Sequence, residues 1–273
     1  MTMFTCPVCG EILSISGKSC ICPKKHTFDM AKSGYVNLLL SKQAGKTVHG
    51  DNKLMVQARR SFLDKGFYAP LSDALCRAVC GNTPDGGIVL DAGCGEGYYT
   101  SQVCGALTEN GKTAELYGID ISKVAADYAA KRCKDVHFAA ASVFHIPMAG
   151  NSCDTLMTLF APYCGEEYRR VLKKGGVMIM AIPSENHLWE LKQAVYDTPY
   201  KNEVKDYELE GFRLIEKERI SYRMKLESGE DIQSLFSMTP YYYRTGRTEQ
   251  ERLGALEYLE TQADFELLTY CKS

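Results

Sequence analysis

The sequence predicts an α/β protein, a mostly parallel sheet layered with helices and preceded by a small metal-stapled module. Three observations carry this reading. Apolar runs at residues 88–90, 116–119, 136–139, 155–160 and 177–181 alternate with amphipathic stretches, the pattern of parallel strands with helices on both faces of the sheet. Between the first run and a helix beginning at Tyr98 lies a glycine loop, Asp91-Ala-Gly-Cys-Gly-Glu-Gly97. Near the N-terminus, cysteines and a histidine recur at metal-knuckle spacing.

The module comes first. Cys6-Pro-Val-Cys9 is a Cys-x-x-Cys knuckle, and Cys22-Pro-Lys-Lys-His26 adds a Cys-x-x-x-His pair after a loop. Three thiolates and an imidazole form a tetrahedral set typical of structural zinc. Cys20 rivals Cys22 as third ligand. An extended Cys20-Ile-Cys22 segment lets one of the two thiols face the metal, and we favour Cys22. A redox role for the knuckle would need a strand–helix context that Gly10-Glu-Ile-Leu13 lacks. A closed site of this kind has no open position, so no catalysis is expected there. So small a segment buries too little apolar surface to fold unaided, and metal binding should supply about 10 kcal/mol of its folding free energy.

Residues 41–51 are polar and contain glycine, which reads as a mobile linker. Asp51 is expected to cap a helix to about Lys65 that Gly66 ends. A second helix starts at Pro70, with Leu71, Ala74, Leu75, Ala78 and Val79 on one stripe.

The first strand then leads into the glycine loop. Gly93, Gly95 and Gly97 let the backbone turn tightly and approach a ligand closely. Tyr98 follows Gly97, so the pattern is not the Gly-x-Gly-x-x-Gly of dinucleotide binders. An acid closing the strand, here Asp91, followed by such a loop is the usual entry to an S-adenosylmethionine (SAM) pocket; a purely structural loop is the alternative. Asp120 ends the next strand about 20 residues after the loop, the spacing of a ribose-binding acid. It can equally serve the start of the helix carrying Val124, Ala125, Tyr128 and Ala129. Lys173-Lys-Gly-Gly176 is expected to turn into the fifth strand. Farther on come a helix with Leu188, Leu191 and Val195, and strand-like segments at 212–226 and 265–270 that complete the sheet as an antiparallel edge.

Composition sets bounds. Of 273 residues, 45% are hydrophobic and 24% charged, as in ordinary globular proteins, and no apolar run reaches the 18 or so residues of a membrane span. No secretory signal is visible, so twelve cysteines point to a reducing cytoplasm, with Cys76, Cys80, Cys104, Cys133 and Cys153 read as small buried residues. Residues 1–65 carry ten Lys/Arg against four acids, whereas the whole chain has a net charge of −2. A basic lobe on an acidic body suggests that the N-terminal part meets a polyanion; a solvated face is the plainer reading.

Several stretches together give the chain a specific likeness. These are residues 22–39 (Cys22-Pro-Lys-Lys-His-Thr-Phe-Asp-Met-Ala-Lys-Ser-Gly-Tyr-Val-Asn-Leu-Leu39), Ala58-Arg-Arg-Ser-Phe-Leu-Asp-Lys-Gly66, Tyr68-Ala-Pro-Leu71, the glycine loop through Thr100, and His187-Leu-Trp-Glu-Leu191. Over essentially its whole length the chain resembles the RlmA family of 23S rRNA (guanine-N1)-methyltransferases, which includes tylosin-resistance enzymes. The resemblance implies a class I SAM-dependent methyltransferase with a Rossmann-like sheet and a small N-terminal zinc-binding domain. It implies a homodimer acting on a hairpin of 23S rRNA domain II, with the zinc module helping to grip RNA. The domains would then be 1–45 for zinc and RNA recognition, 46–84 for linker and leading helices, and 85–273 for the methyltransferase. By position, Cys6, Cys9, Cys22 and His26 correspond to zinc ligands. Gly95, Glu96, Gly97 and Tyr98 correspond to the cofactor loop, Asp120 to the ribose contact, and Tyr68 and His187 to SAM-pocket positions. The extra thiol of Cys20 departs from the family pattern. From the residues alone, Tyr68 reads as a core aromatic and His187 as a helix-start histidine.

Guanine N1 carries a proton, so its methylation needs a base near the methyl group, and the sequence does not single one out. Phe160-Ala-Pro-Tyr163 follows the fourth strand, where a target base would enter; Phe160 or Tyr163 could stack on it, and a core role is the alternative for Phe160. Two other readings share these features: a methyltransferase acting on tRNA or a small molecule, and a non-catalytic RNA-binding module.

Overall fold

In a computed structural model, residues 2–40, 52–203, 207–239, 241–242 and 245–273 are described. The linker read at 41–51, and with it the expected cap Asp51, lies outside the described residues. Asn52 caps the first helix instead, its side chain accepting from the Met55 amide.

Three short strands, β1 (Ser14–Ser16), β2 (Ser19–Ile21) and β3 (Thr27–Asp29), form a small antiparallel ribbon. After β4 (Val36–Asn37) come α1 (Lys53–Asp64) and α2 (Ala69–Asn82). The alternating region is β5 (Ile88–Ala92), α3 (Tyr98–Glu109), β6 (Glu115–Asp120), α4 (Lys123–Arg132), β7 (His137–Ala140), β8 (Cys153–Leu159), α5 (Gly165–Val171) and β9 (Leu172–Pro183). The chain then runs through α6 (Trp189–Val195), β10 (Phe212–Leu226), α7 (Gly229–Ser237), α8 (Arg247–Gly254) and β11 (Leu259–Lys272).

The main sheet has eight strands in the order β10-β11-β9-β8-β5-β6-β7-β4. The chain leaves β5 toward β6 and β7 on one side and returns as β8 and β9 on the other, so the strand order reverses at β5. Ligands of such sheets lie beyond the carboxyl ends of the strands at that reversal. β11 pairs antiparallel with β9, and β10 with β11, which gives the expected antiparallel edge. Lys173–Gly176 does not precede β9 as a turn. These residues bulge out between Leu172, opposite Cys153, and Val177, opposite Thr155.

Side chains alternate across the sheet. Val89 and Leu116 face one core with Ile179 and Phe265; Leu90, Tyr117 and Met178 face the other with Tyr270. The first core takes buried residues from α1, α2, α3, α4, α6, α7 and α8. The second carries one helix, α5, so helices do lie on both faces but very unequally. Among the described elements, α5 and the zinc ribbon cover it, through Phe4, Leu13, Val36 and Leu38. The Phe4 ring meets Tyr117 edge-on at 5.2 Å, and the Thr5 amide donates to the Pro147 carbonyl at 2.8 Å. β4 joins the sheet in parallel with β7, Val36 opposite Ala139. The N-terminal module therefore shares its core with the sheet. Among the later cysteines, Cys153 is buried while Cys76, Cys80, Cys104 and Cys133 are half-buried.

Candidate functional site

The metal centre is built from two knuckles. The Gly10 amide donates to the Cys6 carbonyl and the Lys25 amide to the Cys22 carbonyl, both at 2.8 Å. Each turn needs a left-handed residue, supplied by Gly10 (φ 76°) and, unusually for a side-chain-bearing residue, by Lys25 (φ 63°). The turns bring Cys6, Cys9, Cys22 and His26 together, with ligand atoms all within 4.8 Å of one another. The Cys9–Cys22 sulfurs are 3.6 Å apart, and His26 Nδ1 lies 3.5 Å from Cys6 Sγ and 3.3 Å from Cys22 Sγ. Zinc bonds of about 2.1–2.3 Å imply tetrahedron edges of about 3.4–3.8 Å, so these spacings suit zinc. Burial pushes the Cys22 thiol up, but the His26 amide, the Cys9 thiol and the His26 ring pull it down further, to about 7. A thiolate is the form that binds metal. Cys20 is buried in the core of the ribbon and is not part of this set.

The second centre lies at the strand-order reversal. Gly93, Gly95 and Gly97 all have positive φ (96°, 55° and 84°). Two of them are also sites of close approach. A Cβ on Gly93 would lie 2.4 Å from that of Ala161, and one on Gly97 would lie 2.9 Å from the backbone of Ala129 in α4. The loop is thus pressed between the segment after β8 and α4, and any side chain at either glycine would push it out.

Acids surround the loop. Asp91 is buried, and its Oδ2 accepts from Thr100 at 2.6 Å while Oδ1 has no partner in the protein. Burial, with Asp120 nearby adding repulsion, pushes its carboxyl up to about 7. Asp120 accepts from the Gly95 amide at 3.0 Å and from the Ser122 amide at 2.7 Å, so it ties the loop to the start of α4. Ser122 itself caps α4, accepting from Ala125. The Glu96 carboxylate is buried against Arg132, whose Nε and Nη2 donate at 2.9 and 2.6 Å. Arg132 also holds Asp64 of α1 at 2.8 Å, and lies over the Tyr98 ring.

Beside the loop is an aromatic group. Phe265 of β11 is fully buried and meets Tyr68 edge-on at 4.9 Å, His187 at 4.5 Å and Phe160 at 5.7 Å. His187 Nδ1 accepts from the Asp264 amide at 3.3 Å, and burial lowers the imidazole to about 3. The ring is therefore neutral, with its proton on Nε2. Phe160 is half exposed and holds a left-handed backbone (φ 56°), a strained conformation for a bulky residue. It is not the core residue of the alternative reading. Tyr163 is 40% exposed and rests edge-on against Tyr168, whose hydroxyl fixes the turn through the Pro162 carbonyl.

Sequence reasoning passed over Phe265, Arg132 and Lys192. Only the register of β11 against β9, with Phe265 opposite Pro183, brings Phe265 to His187, Tyr68 and Phe160. Lys192 is buried without a carboxylate partner among the described contacts. It donates to the Tyr200 carbonyl and to Asn202, lies over the Tyr200 and Tyr241 rings, and falls to about 8 through burial. Asn202 in turn donates to the Ser184 carbonyl at 2.8 Å, which fixes the turn that carries His187.

Comparison with known proteins agrees with both centres. A family model described as "RlmA, N-terminal", a zinc ribbon, matches residues 4–43, and one described as "Methyltransferase domain" matches residues 84–235. The chain is 31% identical over 278 aligned positions to the Bacillus subtilis (strain 168) protein "Putative 23S rRNA (guanine-N(1)-)-methyltransferase YxjB", covering 98% of this chain and 96% of that protein. It is 35% identical over 195 residues to the "23S rRNA (guanine(748)-N(1))-methyltransferase" of Streptomyces fradiae, covering 70% and 66%. The buried, unpartnered Asp91 oxygen and the glycine cradle fit SAM, and the ligand spacing fits zinc. With a zinc ribbon packed on a class I methyltransferase sheet, and with one relative matching over nearly its full length, the chain belongs to the RlmA family of zinc-containing, SAM-dependent methyltransferases.

Proposed function

We propose that this protein transfers the methyl group of SAM to N1 of a guanine in 23S rRNA, within a hairpin of domain II, and that it acts as a homodimer. The observation that carries this reading is the pairing, in one chain, of the Cys₃His ribbon with the Asp91–Gly97 loop, matched end to end in a relative named for that reaction.

SAM supplies an electrophilic methyl group on sulfur; the protein supplies alignment and a dry pocket. Asp91, Gly93, Gly95, Glu96, Gly97, Tyr98 and Asp120 form the cofactor cradle. Gly93, Gly95 and Gly97 allow close approach, and Asp120 faces the ribose while bracing the loop through Gly95. Glu96 serves by anchoring its backbone through Arg132. Tyr68 and His187 wall the pocket together with Phe265. Cys6, Cys9, Cys22 and His26 hold the zinc, which fixes a basic lobe carrying exposed Lys18, Lys24, Lys25 and Lys32 toward RNA. Phe160 and Tyr163, exposed at the end of β8, present aromatic faces to an unstacked base. The ribbon favours a large polyanionic substrate over a small molecule, which would have no use for a basic module locked onto the sheet.

Incubation with methyl-labelled SAM and protein-free 23S rRNA, followed by digestion to nucleosides, should place the label in 1-methylguanosine. Label in another nucleoside, or in tRNA alone, would refute the assignment.

A further inference from the structure

The connection from β9 to α6 leaves the sheet at its carboxyl rim. It lies beside the segment that follows β8, because Leu159 pairs with Ala181 in the register of the two strands. This connection carries Ser184 and His187, and the His187 ring packs on Phe265, which in turn meets Phe160. Asn202 grips its backbone from outside. The Asn202 side-chain amide donates to the Ser184 carbonyl at 2.8 Å and to the His187 carbonyl at 3.4 Å, and its main-chain amide donates to the Glu185 carbonyl at 3.0 Å. Asn202 Oδ1 accepts from the Tyr241 hydroxyl at 3.1 Å and from Lys192 Nζ at 2.7 Å. Lys192 Nζ also donates to the Tyr200 carbonyl at 3.0 Å. One ammonium on α6 thus ties the turn beyond β9 to residues 200–202 and, through Asn202, to Tyr241.

This cation is costly where it stands. Lys192 is 1% exposed, with the Tyr200 and Tyr241 rings 4.8 and 4.9 Å from its nitrogen, and no carboxylate meets it among the described residues. Burial lowers it only to about 8, so the donor is charged at neutral pH. A buried charge without an opposite partner is often replaced by an apolar side chain of similar volume with no loss of stability. A methionine would fill the space between the two rings with no ion to desolvate. Stability therefore does not account for a lysine here, whereas the geometry of the rim does.

We propose that Lys192 is a positioning residue for methyl transfer, holding through Asn202 the turn beyond β9 that walls the place where the target guanine meets the methyl group. Its ammonium does not touch the base. It fixes the Ser184 and His187 carbonyls, and with them the ring group of His187, Phe265 and Phe160. Misplacing a reacting group by about 1 Å costs about 100-fold in rate. The proposal rests on the rRNA reaction above.

Single-turnover methylation of protein-free 23S rRNA, SAM calorimetry and denaturant unfolding separate this role from a merely structural one. Lys192→Met should lower the single-turnover rate by about 10- to 100-fold. It should leave SAM affinity and the half-saturating rRNA concentration within about three-fold, because both ligands are gripped elsewhere. The unfolding midpoint should be unchanged or raised. Asn202→Ala should slow the reaction to a similar extent, and the double variant should be no slower than the slower single one, since one residue acts through the other. If Lys192→Met does not fold, Asn202→Ala decides alone. A folded variant of either residue that methylates at the parent's rate would overturn the proposal, and so would effects that multiply in the double variant. Loss of SAM affinity in proportion to rate would overturn it too, by making Lys192 a support of the cofactor site. A parent that forms no 1-methylguanosine would instead remove the rRNA reaction, and the proposal with it.

Discussion

The two faces of the main sheet are covered by different means. On one face, seven helices pack aliphatic and aromatic side chains onto β5–β11, and burial alone accounts for their order. On the other, a ribbon of three-residue strands does the covering over β5–β7, held together by four metal ligands and stitched to the sheet by β4 and Phe4. A helix can be removed from its neighbours and still have local hydrogen bonds along its length; the ribbon's three-residue strands are too short to hold without the metal. The zinc centre is therefore a structural member of the catalytic domain as well as the base of the lobe proposed to face RNA. That difference also separates the proposed functions: the proposed cofactor cradle sits among the helices, the basic lobe among the ligands.

The largest expected break is at the metal. Cys22→Ser, or stripping the zinc with a chelator, removes about 10 kcal/mol of metal-linked folding energy from the ribbon. Amide exchange should then rise together in residues 4–38 and in β7, while the β10–β11 hairpin stays protected. Exchange confined to the first 45 residues would show an independent module instead. Phe4→Ala tests the packing half of the same attachment. It should cost about 3–5 kcal/mol in denaturant unfolding, as for other buried aromatics, with zinc content unchanged.

On the helical side, Asp91→Asn should weaken SAM by about 10- to 100-fold if the unpartnered Asp91 oxygen of the proposed cradle meets the ammonium of SAM, since a buried charge-assisted contact would be lost. The pH dependence follows from the raised carboxyl. In the free protein Asp91 keeps its proton until the pH rises through about 7, whereas an unfolded aspartate releases it near its ordinary value. The contribution of this group to stability is therefore present at low pH and fades as pH rises through about 7. Bound ammonium favours the carboxylate, so SAM affinity should rise up to that pH and binding below it should release a proton. Calorimetry at pH 6 in buffers of differing ionisation heat measures that proton; none released means Asp91 does not meet the ammonium.

Tyr163→Ala should lower turnover on rRNA by roughly 10-fold, in line with about 1–3 kcal/mol for stacking one base, and leave SAM affinity within about two-fold. Equal turnover by mutant and parent would remove Tyr163 from the base-binding role. The smallest effect belongs to the surface. Arg77→Ala breaks an exposed pair with Glu218 at 2.9 Å and should change stability by about 0–1 kcal/mol, measured by the same unfolding midpoint.

Much of the cradle was legible because its chemistry leaves marks at fixed spacing. Gly93, Gly95 and Gly97 have to be glycines for backbone reasons, and Cys6, Cys9, Cys22 and His26 announce themselves by ligand type and interval. Tyr68 and His187 enter the proposed pocket only through family resemblance, because a buried tyrosine and a helix-start histidine have ordinary structural uses. What stayed hidden depends on contacts far apart in sequence. β4 has two residues and no periodicity to read. The core residues of the ribbon, Phe4, Leu13, Val36 and Leu38, are too scattered to look like one face of anything. Asn52 and Asp51 are adjacent and equally able to cap, so the boundary of α1 was open by one residue. Phe265 and Arg132 gain their places only when β11 and α4 have packed.

The separation of cradle and ribbon can be tested in a single experiment on the zinc-depleted Cys22→Ser protein, with SAM binding and 23S rRNA methylation measured side by side. SAM affinity should stay within a few-fold of the parent, and almost no 1-methylguanosine should form. Methylation that persists without the metal would contradict that separation, and so would loss of SAM binding in a protein whose helical face is still folded.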